Sequence, residues 1–167
     1  MTDENLPQSV LEVCKALNKY SVAYLIVGGV AVAFHGYYRD TTNSAGANTD
    51  KDDIDIWYNP TYSNYYKLLR ALEHLGQNVS DFRNEKSPNP KKSYFKFEFE
   101  KFTVDFLPEI KGLNNFNAAY KKRETSNING IEIHLISYSD IITSKSISPR
   151  KKDILDIEQL ESKPRKK

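Results

Sequence analysis

Two aspartates one residue apart carry the clearest chemical signal in this sequence. Asp53 and Asp55 alternate with Ile54 and Ile56, a pattern that predicts a β-strand. Side chains alternate between the two faces of a strand, so both carboxylates point to the same face. Two such charges are costly to bury unless a cation joins them. The pair therefore favours a metal site, although a lone Asp-x-Asp is also common where no metal binds.

A pair of glycines upstream favours a phosphate site beside that metal site. Gly28 and Gly29 follow a short apolar strand at 24–27 and precede a segment of helical composition. The N–H groups at a helix N-terminus are a natural seat for phosphate, and glycine lets the backbone come close to it. Alternatively, the two glycines serve only a tight turn.

A third carboxylate stands on a later predicted strand. Asp105 lies in the segment 102–107, which is otherwise almost entirely apolar and is an unusual setting for a charge. Mg²⁺ prefers one or two carboxylates together with the phosphate oxygens of a substrate. Carboxylates on adjacent strands could hold one or two such ions for phosphoryl or nucleotidyl transfer. We therefore assign Asp105 to the same site as Asp53 and Asp55.

Length, composition and charge limit the possible organisation. The chain has 167 residues, of which 39% are hydrophobic and 28% charged, which suits one soluble domain with a real core. We expect a single domain over 1–162 and a basic, disordered tail over 163–167. A formal charge of +2 is too small to indicate nucleic-acid binding by itself, so contact of the tail with RNA stays an alternative.

The N-terminus and the cysteine content narrow the cellular setting. Thr2, Asp3 and Glu4 stand where a signal peptide would need basic and apolar residues, and no run is long enough to span a membrane. We therefore expect a cytoplasmic protein without a membrane partner. The single cysteine, Cys14, excludes an internal disulfide framework and a cysteine-rich zinc site, and its helical spacing from neighbouring apolar residues predicts a core position.

Apolar periodicity predicts an α/β fold, more closely an α+β mixed sheet with helices packed on it. Helices are predicted at 7–19, from Gly29 to Gly36, from Asn59-Pro60 to Gly76, at 114–122, at 138–145 and from Ser148-Pro149 onward. Strands are predicted at 24–27 and 53–58, and antiparallel hairpins at 94–107 and at 125–136, the latter around Asn129-Gly130. The polar segments 38–52 and 84–92 are predicted loops. The last helix is predicted to pack through Ile154, Leu155, Ile157 and Leu160.

These residues, in this order, resemble the active-site pattern of the nucleotidyltransferase superfamily, which has the polymerase-beta-like fold. The matching positions are Gly28-Gly29, His35-Gly36, Arg39, Asp53-Ile54-Asp55, Asp105, Asp140, Lys145, Arg150 and Asp153-Ile154-Leu155-Asp156. They span roughly residues 20–160. The resemblance is to the small bacterial group that includes nucleotidyltransferase toxins of toxin–antitoxin and phage-abortive systems, with lincosamide nucleotidyltransferases as more distant relatives.

The resemblance implies an enzyme that moves a nucleoside monophosphate from an NTP, such as ATP, to a hydroxyl group. Asp53 and Asp55 would be ligands of Mg²⁺ (or Mn²⁺), and Asp105 a ligand or the base that accepts the hydroxyl proton. The acceptor would be RNA, a protein or a small molecule, and a cognate antitoxin is a possible partner. Two alternatives stay open: a non-catalytic binding module with this fold, and a phosphatase or nuclease that uses the same ions.

The same resemblance assigns a nucleotide-binding set. Gly28 and Gly29 would approach the phosphates, and Lys145 and Arg39 would contribute positive charge to the triphosphate, with a solvated surface charge as the alternative for each cation. Asp153 would take part in the site or pair with Arg150.

The polar loop before Asp53 departs from the superfamily pattern, in which the arginine stands only a few residues before the first aspartate. Here residues 40–52 separate Arg39 from Asp53. The inserted loop would form a lid, recognise an acceptor or displace Arg39 from the site. His35, which closes the preceding helix, is expected to be a packed or capping residue rather than a catalytic one.

Overall fold

A computed structural model describes residues 8–36, 52–147 and 151–162. The helices in these ranges are α1 Gln8–Lys19, α2 Gly28–Phe34, α3 Tyr62–His74, α4 Ser80–Arg83, α5 Phe116–Lys121, α6 Tyr138–Ser146 and α7 Lys151–Glu161. The strands are β1 Tyr24–Val27, β2 Asp52–Tyr58, β3 Phe95–Glu98, β4 Phe102–Leu107, β5 Glu124–Ile128 and β6 Ile131–Leu135. A single 3₁₀ turn at Pro90–Lys92 precedes β3 in this part of the chain.

The strands form one mixed sheet in the order β3-β4-β2-β1-β6-β5. β2 runs parallel to β4 and β1 runs parallel to β6, whereas the other neighbours are antiparallel. α1 packs against β6 and α3, and α2 packs against β1 and β2. The predicted α/β class, with helices on a mixed sheet, is confirmed.

Local chemistry explains where several elements begin and turn. Asn129 and Gly130 have φ angles of 54° and 79°, which are the two positive values that a type I′ hairpin turn requires. The Ser137 side chain caps α6 by accepting a hydrogen bond from the backbone N–H of Asp140 at 3.2 Å. The predicted hairpins and the Ser137 cap are therefore confirmed.

The core is built from the central strands and the helices around them. Ile26 and Ile56 are fully buried, and Trp57 is buried with its indole N–H donating to the carbonyl of Pro108 at 3.2 Å. Cys14 is buried as predicted, and burial raises the pKa of its thiol to about 12. None of the helices in the described ranges combines the length and apolar character that a membrane crossing needs.

The predicted packing face of the last helix is wrong at Ile154 and Leu155 and confirmed at Leu160. Ile154 and Leu155 on α7 are 45% and 43% exposed, whereas Asp153, Asp156 and Leu160 are buried. The two aspartates lie three residues apart and therefore share one helix face. Both carboxylates on that face pair with Lys145 on the neighbouring helix α6, so the inward face of α7 is partly ionic.

Two further differences from the predicted elements involve short segments, which give little periodic signal. α4 comprises four residues and was not predicted, and the predicted loop at 84–92 contains the 3₁₀ turn. The predicted loop at 38–52 lies outside the described residues except for its last position, which opens β2. Arg39, Arg150 and the tail at 163–167 also lie outside the described residues.

Candidate active site

The predicted carboxylates come together through the register of the sheet. Asp55 on β2 pairs directly with Asp105 on β4, and on its other side with Val27 on β1. Asp53 pairs with Thr103 two residues away along the same strands. Residues in register on neighbouring strands share a face, and so do residues two apart on one strand. The structure therefore places Asp53, Asp55 and Asp105 on one face of the sheet.

Gly28 makes room for the central carboxylate. Its φ angle is +68°, and a Cβ added there would overlap Oδ2 of Asp55 and lie 3.1 Å from that residue's Cβ and Cγ. The sequence predicted a close approach between this glycine and a phosphate. In the structure the Asp55 side chain is the group that lies against Gly28. Because glycine has no side chain, it leaves space for this carboxylate.

Lys145 stands at the centre of a buried ionic cluster. Its Nζ lies 3.2 Å from Oδ1 of Asp153 and 3.1 Å from Oδ2 of Asp156, and only 13% of the lysine side chain is exposed. Asp153 thus pairs with Lys145, while the alternative partner Arg150 lies outside the described residues. The sequence analysis quoted Asp156 in the Asp-x-x-Asp motif but gave it no role of its own. Its i, i+3 spacing from Asp153, which places both on one helix face, was the available signal.

A cavity of about 250 Å³ is lined by residues of both the Gly28–Asp55 contact and the Lys145 cluster. Gly28 and Asp55 form one part of its wall, and Ser144 and Lys145 form another. Gly29, Asp53, Asp105 and Asp153 do not line it. The remaining wall is mostly apolar, with Glu109 and Lys111 from the segment after β4 as its other charged residues. The half-buried carboxylate of Asp55 and the side chain of Lys145 thus line the same cavity.

Two side chains near the carboxylates make defined hydrogen bonds. Nε2 of His35 lies 3.0 Å from the carbonyl oxygen of Ile136, to which it donates, and its ring packs edge-on against Phe34 and Tyr138. This matches the expectation of a packed histidine. Thr103, which the sequence analysis did not single out, donates its hydroxyl hydrogen to Oδ1 of Asp53.

The oxygen donors suit a divalent ion that binds together with a substrate. Across the described residues, no three His, Cys, Asp or Glu side chains are grouped closely enough to form a metal site by themselves. Mg²⁺ ordinarily takes one or two carboxylates and completes its shell with water and phosphate oxygens. Asp55 and Asp105, side by side on one sheet face, fit that open arrangement and do not form a closed protein cage.

Comparison with solved structures places this architecture in a known class. The fold is similar to the crystal structure of the lincosamide antibiotic adenylyltransferase LnuA in its lincomycin-bound form, with a TM-score of 0.59 and 17% sequence identity over 95% of this chain and 98% of that one. An antigenic nucleotidyltransferase-like protein from Paracoccidioides brasiliensis matches with a TM-score of 0.46 and 15% identity over 96% of this chain and 77% of that one. The fold is that of a nucleotidyltransferase.

The family follows from the sequence itself. The chain belongs to the family described as "Nucleotidyl transferase of unknown function", whose match covers residues 7–167. A comparison with curated proteins gave no match. The predicted superfamily resemblance is confirmed.

Removing Lys145 is expected to cost stability as well as any function. In Lys145→Met the buried carboxylates of Asp153 and Asp156 lose their shared ammonium group, and breaking a buried pair in this way costs about 3–5 kcal/mol. Arg83→Met is the matched control, because the Arg83 pair with Glu73 is partly exposed and should cost no more than about 1 kcal/mol. Urea unfolding of both variants measures the difference. Equal, small losses would show that the cluster is not buried as described.

Proposed function

We propose that this protein is a metal-dependent nucleotidyltransferase that moves a nucleoside monophosphate from an NTP to the hydroxyl group of an acceptor. The observation that carries the proposal is the in-register pairing of Asp55 with Asp105, with Asp55 seated against Gly28 at the wall of a cavity that Lys145 also lines. Family membership supports the class of reaction.

The carboxylates have two proposed roles. Asp53, Asp55 and Asp105 would hold Mg²⁺ or Mn²⁺, which supplies positive charge to the phosphate oxygens and to the attacking oxygen. Asp105 is also the group proposed to accept the acceptor's hydroxyl proton. The hydroxyl oxygen then bonds to the α-phosphorus, the bond from that phosphorus to the bridging oxygen breaks, and pyrophosphate leaves.

The nucleotide is proposed to bind on the cavity side of the carboxylates. Lys145 would offset the negative charge of the triphosphate, held in place by Asp153, and the backbone at Gly28 and Gly29 would border the phosphates. A volume of about 250 Å³ lies below the range of roughly 300–1,000 Å³ typical of ligand pockets, so it suits part of a nucleotide. Arg39 remains a proposed phosphate contact from the resemblance alone.

The acceptor class is to be identified by its reaction. Purified protein is incubated with Mg²⁺, each α-³²P-labelled NTP and separate fractions of RNA, protein and small molecules. Label is expected to move to one fraction, and calorimetry is expected to show Mg²⁺-dependent binding of the same NTP. The Asp53→Ala/Asp55→Ala double variant should lose both, whereas Glu124→Ala, an exposed acid on the edge strand β5, should keep both.

The alternatives give different results in the same experiment. Release of free phosphate or cleavage of RNA without transfer of label would indicate a phosphatase or nuclease. A co-purifying protein partner, such as an antitoxin, together with no metal-dependent NTP binding would indicate a binding module. Either result would contradict the proposed function.

A further inference from the structure

One hydroxyl group behind the carboxylates is placed to control how Asp53 faces an ion. Thr103 on β4 is buried, with 7% of its surface exposed, whereas Asp53 beside it on β2 is exposed. An ionised carboxylate can only accept hydrogen bonds, so the Thr103 hydroxyl must donate to Oδ1 of Asp53. The contact therefore fixes one of the two carboxylate oxygens.

The donor sits on a rigid part of the sheet. β4 lies between β3 and β2, and Thr103 is in register with Glu98 on one side and with Asp53 on the other. A β-branched side chain is stiff at χ1, so the hydroxyl direction is set by the strand. The χ2 torsion of an aspartate is broad by comparison, and an exposed carboxylate without such a donor would sample many orientations.

We propose that Thr103 is a positioning residue that holds Oδ1 of Asp53 and so presents Oδ2 to the divalent ion. This inference rests on the proposed function, because it needs an ion at the carboxylates. Hydrogen-bond partners of metal-binding carboxylates orient them, and their loss typically weakens metal affinity about 10- to 100-fold. Thr103 has no contact with the reacting atoms in this scheme and acts only through Asp53.

Mn²⁺ binding followed by electron paramagnetic resonance tests the proposal without any transfer assay. Thr103→Val removes the hydroxyl but keeps the shape and should weaken Mn²⁺ binding about 10-fold. Thr103→Ser keeps the donor and should restore binding to within about 3-fold of the native protein. In an Asp53→Asn background, Thr103→Val should not weaken Mn²⁺ binding further. In that background the Thr103 hydroxyl no longer holds a carboxylate ligand.

Controls separate this contact from a general effect on folding. Thr125→Val, which changes an exposed threonine on the far edge strand β5, should leave Mn²⁺ binding unchanged. Thermal unfolding reports whether each variant is folded. If Thr103→Val does not fold, Thr103→Ala is a second variant that lacks the hydroxyl donor. Saturating Mn²⁺ should return kcat of the Thr103→Val enzyme to near the native value, because the defect is one of metal affinity.

The possible outcomes distinguish the positioning role of Thr103 from the proposed metal site itself. Native affinity in Thr103→Val, or equal weakening in the valine and serine variants, would overturn the positioning role and leave the proposed function standing. Native protein that binds no Mn²⁺, or binding that survives Asp55→Asn unchanged, would overturn the proposed metal site and the inference with it.

Discussion

Asp55→Asn is expected to lower nucleotidyl transfer by about 10³-fold while leaving the protein folded. The substitution keeps the shape of the side chain but removes the charge that faces the cavity and neighbours Asp105, and loss of one such electrostatic group typically costs about 10²–10³ in rate. Stability should be unchanged or slightly higher, because like charges on adjacent strands repel each other. Transfer of ³²P from labelled NTP and the thermal midpoint are the two measurements.

The control for this prediction is an acid outside the site. Asp81 is exposed on α4, away from the sheet face that carries the carboxylates, and Asp81→Asn should leave transfer unchanged. Transfer by Asp55→Asn within about tenfold of that by the native protein would show that this carboxylate is not part of the proposed active site. A large fall in the thermal midpoint would instead show that its role is structural.

Gly28→Ala is expected to damage both stability and activity. The new Cβ would sit at a φ angle of +68° and overlap the Asp55 carboxylate, so the aspartate must move. Left-handed backbone at a residue other than glycine costs about 1–3 kcal/mol. A displacement of about 1 Å in a positioned group can cost about 10²-fold in rate, so we expect a loss of that size in transfer.

A second glycine separates the two effects. Gly76, which ends α3, has a φ angle of +91°, but a Cβ there would meet nothing within 4 Å. Gly76→Ala should therefore lose stability in urea unfolding and retain full transfer activity. If Gly28→Ala behaves in the same way as Gly76→Ala, the carboxylate does not depend on the space that Gly28 leaves.

Local patterns predicted the elements of this fold well. The alternation around Asp53 and Asp55 predicted a strand with both carboxylates on one face, and Asn129-Gly130 predicted a hairpin, because each pattern depends on backbone geometry over a few residues. The pairing of β2 with β4 was less accessible. It joins segments far apart in sequence, and no local pattern specifies that Asp55 lies opposite Asp105.

The same limit explains two contacts that the sequence did not predict. Gly28 was interpreted through the phosphate that it could approach, because its nearest neighbour, Asp55, comes from another strand. The α7 face was assigned by hydrophobicity, yet Asp153 and Asp156 are buried because Lys145 of α6 lies between their carboxylates. In both cases the deciding partner lies on a different element, which short-range periodicity does not reveal.

The parallel pairing of β2 with β4 has a consequence for the order in which the molecule forms. Thr103 and Asp53 meet across 50 residues of chain, whereas each antiparallel hairpin joins near neighbours. The entropy cost of closing a long loop comes before the stabilisation that such a contact provides. Strand pairing of this kind is therefore slow. A chain still emerging from the ribosome holds Asp53 and Asp55 well before Asp105 exists to stand beside them. The three carboxylates can therefore come together only after the chain has been made as far as β4.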